Sequence, residues 1–139
     1  MSDAWRVALV ATVCLVVALP TGCGSSDPDA SVRATFRRGI EQIRASTSAT
    51  RLREELRHTV ASLRGKQGSS KGRRLAIAGF EETLLGVDAQ IDFIENDRGQ
   101  IEAATRDAIK ANRHKERGAD LLRTAGRELD VTVGRLRGY

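Results

Sequence analysis

One heptad pattern, held in a single phase over the second half of the chain, limits the possible folds more than any other feature. Alternate steps of three and four residues from Ile77 pass through Phe80, Leu84, Val87 and Ile91 and continue to Leu129, Val133 and Leu136. Thirteen of the eighteen positions on this path are alanine or a larger apolar residue. Such a spacing draws one apolar stripe along helices that pack nearly parallel or antiparallel to one another. The stripe is interrupted at Thr105, Asn112 and Lys115, where packing is expected to be weakest. An earlier stripe runs through Phe36, Ile40, Ile43 and Thr47, then resumes out of phase at Leu52, Leu56, Val60 and Leu63. The slip falls on Ser46-Thr47-Ser48-Ala49-Thr50, weak helix formers that predict a kink or local unwinding.

Punctuation divides the pattern. Asp27-Pro28 suits a helix start, with Asp as N-cap and Pro at the first helical position. Gly65 to Lys71 contains two Gly and two Ser and reads as a loop, and Asn96-Asp97-Arg98-Gly99 is a third break. These signals predict helices near 28–64, 72–96 and 98–137, and an all-α fold: an antiparallel three-helix bundle with coiled-coil-like heptad packing. In the alternative, the chain stays helical through 96–99. Residues 72–137 then form a rod about 100 Å long, whose exposed half calls for a second copy of the chain, a homodimer. A stripe of small residues, Ala104, Ala111, Gly118, Ala125 and Thr132, lies beside the seam and predicts that the last helix contacts two neighbours.

Charge adds an orientation. Residues 30–74 carry 12 basic and 3 acidic side chains, residues 75–97 carry 6 acidic and none basic, and residues 98–139 carry 10 basic and 6 acidic. With Ile77 at position a, residues Glu81, Asp88, Glu95 and Glu102 all fall at e; with Phe36 at d, so do Arg37, Arg44 and Arg51. Helices in an antiparallel pair bring their e edges to the same side, so this charge-pairing stripe predicts an antiparallel hairpin across the 65–71 loop. The aliphatic seam holds such a bundle, at roughly 1.5–3 kcal/mol per buried side chain. Exposed ion pairs, at about 0–1 kcal/mol each, select its orientation.

The chain begins differently. After Arg6, residues Val7 to Leu19 run 13 positions without a charge. A helix of that length covers about 20 Å, short of the hydrocarbon core, so it reads as the apolar region of a signal peptide. Pro20-Thr21-Gly22-Cys23-Gly24-Ser25-Ser26 follows: a small residue directly before a Cys, then a Gly/Ser tether. In these residues the sequence resembles the bacterial lipoproteins. The resemblance implies a diacylglycerol on the Cys23 sulfur and cleavage between Gly22 and Cys23. It divides the chain into a signal peptide (1–22), a lipid-proximal tether (23–29) and a helical domain (30–139), and it covers residues 1–26. The implied location is the cell membrane, anchored by lipid on its extracytoplasmic face. Cys14 would leave with the signal, so the mature chain keeps one acylated Cys and no disulfide.

Motifs for chemistry are sparse. His58 and His114 stand apart in charged surroundings, and Asp88, Asp92 and Glu95 share a helix face better suited to solvent or Arg than to a metal. No Gly-rich phosphate loop, zinc motif or Gly-x-Ser-x-Gly turn occurs in the sequence. No metal and no cofactor is expected, and the chain is not expected to be an enzyme. A pI near 9.9 and an Arg-rich first helix raise nucleic acid as a partner. Export and the lack of an aromatic stacking platform argue against it. The expected roles are a membrane-anchored helical module that binds an envelope protein, or a basic module lying against anionic headgroups or wall polymers.

Overall fold

The computed structural model describes residues 27–67, 70–96 and 101–136. Residues 1–26, with the expected signal peptide and Cys23, lie outside the described residues. Four helices occur among those described: α1 (Ala30–Ala45), α2 (Ala49–Gly65), α3 (Lys71–Asn96) and α4 (Ile101–Glu128), with no strand. The chain is all-α.

The start of α1 lies two residues beyond the expected one. Asp29 is the N-cap but makes no side-chain capping bond, and Asp27 organises the turn instead. Its Oδ1 accepts from the Asp29 amide at 3.0 Å, its carbonyl accepts from the Ala30 amide at 3.0 Å, and its carboxylate pairs with Arg33. The hydrogen bond from Arg33, with that from the Asp29 amide, holds the Asp27 carboxyl below its ordinary range. The contribution of this turn to stability is therefore present at neutral pH and lost as pH falls through that lowered value.

The expected kink at 46–50 is a complete break. Ser46 and Ser48 are both extended, at ψ 133° and 123°, and the Ser48 hydroxyl accepts from the Arg51 amide at 3.4 Å as the N-cap of α2. What the spacing joined as one helix over 28–64 is thus two, and α2 turns back beside α1. The chain reverses again between α2 and α3. Arg73 of α3 donates to the carbonyls of Leu63 and Arg64 at 2.7 and 2.8 Å, so it caps the C-terminus of α2. The α3 and α4 helices are antiparallel, joined at one end by Lys71 Nζ to Glu128 Oε1 at 2.7 Å and further along by Lys115 Nζ to Gln90 Oε1 at 2.8 Å. A continuous 72–137 rod is excluded by this pairing.

The α3–α4 contact is the most extensive in the fold, and glycine explains it. A Cβ built at Gly118 would stand 2.9 Å from the Thr83 amide nitrogen, and one at Gly79 would stand 3.0 Å from that of Leu122. The two backbones touch. The buried line of α4 is accordingly the small-residue one, through Ala104, Ala111, Gly118 and Ala125, with Leu122 and Leu129. The expected a/d seam departs from this line in the first half of α4, where Ile101 is 84 % exposed and Thr105 and Asn112 face solvent.

Helix α4 also ends at Glu128 and not near 137. Asp130 takes φ 52°, and the amides of Leu129 and Val131 bond the carbonyls of Ala125 and Gly126 at 2.9 and 2.8 Å, a Schellman closure. The β-branched run Val131-Thr132-Val133 then continues as a non-helical strap back along α4, with Gly134 under the Arg44 guanidinium of α1. The left-handed position favours glycine, so Asp130→Gly is expected to raise stability by about 1 kcal/mol, read by chemical denaturation.

One apolar cluster joins all of these parts. It takes Val32, Phe36, Ile40 and Ile43 from α1, Leu52, Leu56 and Leu63 from α2, Phe80 and Val87 from α3, Leu122 from α4 and Val131 from the strap. Phe36 and Phe80 meet with ring centroids 5.7 Å apart at 60°.

Candidate functional site

The acidic stripe of α3 does meet arginines, but not the expected ones. Glu81 pairs with Arg64, and Asp88 Oδ1 lies 4.0 Å from Arg53 Nη1, both on α2. Arg51 bonds Glu55 on its own helix at 2.9 Å. Arg37 and Arg44 are exposed on α1 with no carboxylate partner among the described residues. The correction follows from the break at 46–48. It leaves α2, and not α1, antiparallel against α3, and resets the register so that Arg53 and Arg64 face the acidic edge.

A repeat identifies these arginines in the sequence. Residues 32–44 recur twenty positions later: Val32/Leu52, Arg33/Arg53, Phe36/Leu56, Arg37/Arg57, Ile43/Leu63 and Arg44/Arg64. The buried and exposed positions of the two units coincide over 31–41 and 51–61. Arg57 and Arg64 take Glu54 and Glu81 as partners, whereas Ala34 and Ala61 stand at the equivalent places for Arg37 and Arg44. The first unit therefore keeps two exposed arginines with no carboxylate partner among the described residues, Arg44 lying against Gly134 of the strap, where the second has paired both.

Beyond this contact the hairpin stands without cover. Near the α1–α2 break, Gln90 lies beside Ser46–Ala49, and Ile91 still packs against the core. Past that point Ile94 is 59 % exposed, Ile101 84 % and Ile109 56 %. Glu95 of α3 and Glu102 of α4 are exposed and have no ion-pair partner among the described residues; the chain reversal between them puts the last two members of the expected stripe on different helices. The strap ends beside a groove of about 420 Å³ on α4, lined by Asn112, Lys115, Glu116, Ala119, Asp120, Arg123 and Leu136. Burial lowers the Lys115 ammonium below its usual range, and Gln90 accepts one of its protons.

On the opposite side of the α3–α4 hairpin, Glu82 accepts from or donates to His114 Nδ1 at 2.8 Å according to their protonation, and lies 3.6 Å from Arg117 Nε. This cluster ties the two helices together. Among the described residues no group of three or more His, Cys, Asp or Glu is placed to hold a metal, and no helix is long and apolar enough to cross a membrane. Asp88, Asp92 and Glu95 do not form such a group. Comparison with protein-family models, with curated proteins and with solved structures gives no match.

Proposed function

We propose that this chain is a lipid-anchored, extracytoplasmic helical module that acts by binding an envelope protein and carries out no catalysis. The observation that carries this reading is the Gly22-Cys23 junction, which closes a 13-residue apolar run and opens a Gly/Ser tether directly before α1. Supporting it, α1 begins at Ala30, so six residues separate it from Cys23 and span at most about 20 Å. The end that carries Asp27, Lys71 and Glu128 then faces the bilayer, and the α3–α4 tip points away from it. The coiled-coil-like packing is read into the antiparallel α3–α4 pair, with α2 and α1 added against α3 and the strap against α4.

A second reading is favoured by Arg37 and Arg44. Their partnerless guanidinium groups suit a basic face held against anionic headgroups or wall polymers, and such binding would weaken steeply with salt.

The anchor is tested by expressing the wild type and Cys23→Ala in a bacterium and following detergent-phase partitioning. The wild type is expected in the detergent phase and the variant in the aqueous phase. Equal partitioning of the two contradicts the proposal.

A further inference from the structure

We infer that the face around the strap binds a linear polymer of phosphate groups. This deepens the second reading above, of a basic module, and rests on it.

Three elements bring arginines to that face. The strap runs between α1 and α4: a Cβ on Gly134 would stand 2.6 Å from Arg44 Nη2 of α1, and Thr132 shares a hollow of about 320 Å³ with Arg127 of α4. Arg135 is exposed one residue beyond Gly134. Arg37 lies two turns before Arg44 on the same flank of α1, opposite the Gly39 flank that meets Phe80 and Thr59. All four arginines are exposed and have no carboxylate partner among the described residues, and Arg127 bonds the Thr124 hydroxyl at 3.2 Å. One carboxylate enters the face, that of Asp130, which attracts Arg33.

Guanidinium groups suit phosphate because two of their N–H groups can meet two of its oxygens. The α2 equivalents of Arg37 and Arg44 are already answered, by Glu54 and Glu81, so α2 offers no such row. The row also runs lengthwise. Arg37 and Arg44 stand about 10 and 21 Å along α1 from Ala30, at the end that the tether holds to the bilayer. Charge at a membrane surface is screened within about 8 Å at physiological salt. A polymer rising beside the body reaches the whole row, whereas headgroups under that end do not.

The probe is labelled inorganic polyphosphate, titrated against the full-length Cys23→Ala protein. Saturable binding is expected, with an affinity that falls as roughly the third power of salt concentration for four phosphate contacts. Arg37→Gln/Arg44→Gln and Arg127→Gln/Arg135→Gln should each weaken it by roughly tenfold or more, with helicity unchanged by circular dichroism. Arg51→Gln/Arg57→Gln removes the same charge from pairs with Glu55 and Glu54 on α2, and should change it by less than about threefold. Asp130→Gly takes a carboxylate from the face and should tighten it. Absence of saturable binding overturns the inference, and the basic-module reading falls with it only if phosphatidylglycerol vesicles bind no better than phosphatidylcholine ones. Equal losses in the strap-side and α2 variants also overturn it, since net charge then accounts for the binding. So does displacement of the polymer by phosphatidylglycerol vesicles but not by phosphatidylcholine vesicles, which assigns the face to headgroups. Because the protein used lacks Cys23, these outcomes are independent of the anchor.

Discussion

Phe80→Ala is expected to lower stability by about 3–5 kcal/mol, the largest effect of any single substitution considered for this chain. The side chain is wholly buried, meets the tilted ring of Phe36 of α1 and fills the space over Gly39, where a Cβ would come within 2.5 Å of its Cζ. Thr59 of α2 lines the same point. Three helices therefore converge on one ring, and its removal leaves a cavity beside Gly39, which has no side chain to fill it. For a domain of this size the loss corresponds to a fall in Tm on the order of 20 °C. Ile94→Ala, at a position 59 % exposed, should change stability by less than about 0.5 kcal/mol. Equal losses at the two sites would mean that the core runs through the tip of the hairpin.

The second large effect is at Gly118. Alanine is better than glycine in a helix by about 1 kcal/mol, so an open helical site would gain from the change. Here the added methyl would lie 2.6 Å from the Thr83 hydroxyl, 2.9 Å from the Thr83 amide nitrogen and 3.1 Å from the Gly79 carbonyl. Two of those atoms are backbone and cannot move aside without parting α3 from α4. The third is held by its own hydrogen bond to Gly79, at 2.9 Å. Gly118→Ala is expected to cost about 1–3 kcal/mol net, and Gly118→Leu more. Gly65→Ala, with nothing within 4 Å of the new Cβ, should instead stabilise by about 0.4–1 kcal/mol. Urea denaturation of the two alanine variants gives opposite signs if the helices touch at Gly118, and the same sign if they do not.

The all-helical architecture was legible because the aliphatic period is strong and because Pro and β-branched clusters are scarce between 29 and 130. The slip at Ser46–Thr50 was legible as a fault in the first helix. Its severity was not, since the out-of-phase stripes on either side leave both a bent helix and a hairpin open. The register of charge pairing went with it: Arg33 and Arg44 are equivalent to Arg53 and Arg64 by the twenty-residue repeat, but only the chain reversal decides which pair meets α3.

In α4 the period pointed to Ile101 and Thr105, while close approach selected Ala104, Ala111 and Gly118, one position away. Glycine is invisible to a hydrophobic count; the stripe of small residues, expected to mark a second neighbour, is the face turned to α3, and among the described helices α4 contacts α3 alone. The stop at Glu128 was missed because Asp130 is a poor advertisement for a left-handed cap, and because Val133 and Leu136 stay in phase after the helix has ended. Glu102, placed in one stripe with Glu95 by spacing alone, stands on α4, because the chain reverses between the two.

The central claim is that a lipid on Cys23 holds this helical body at a membrane, and the intact mass of the mature protein tests it most directly. Purified from bacterial membranes, the chain should begin at residue 23 and carry the added mass of a diacylglycerol, with an acyl-bearing N-terminal peptide after proteolysis. A protein that retains Met1, or that begins at Cys23 with an unmodified thiol, contradicts it.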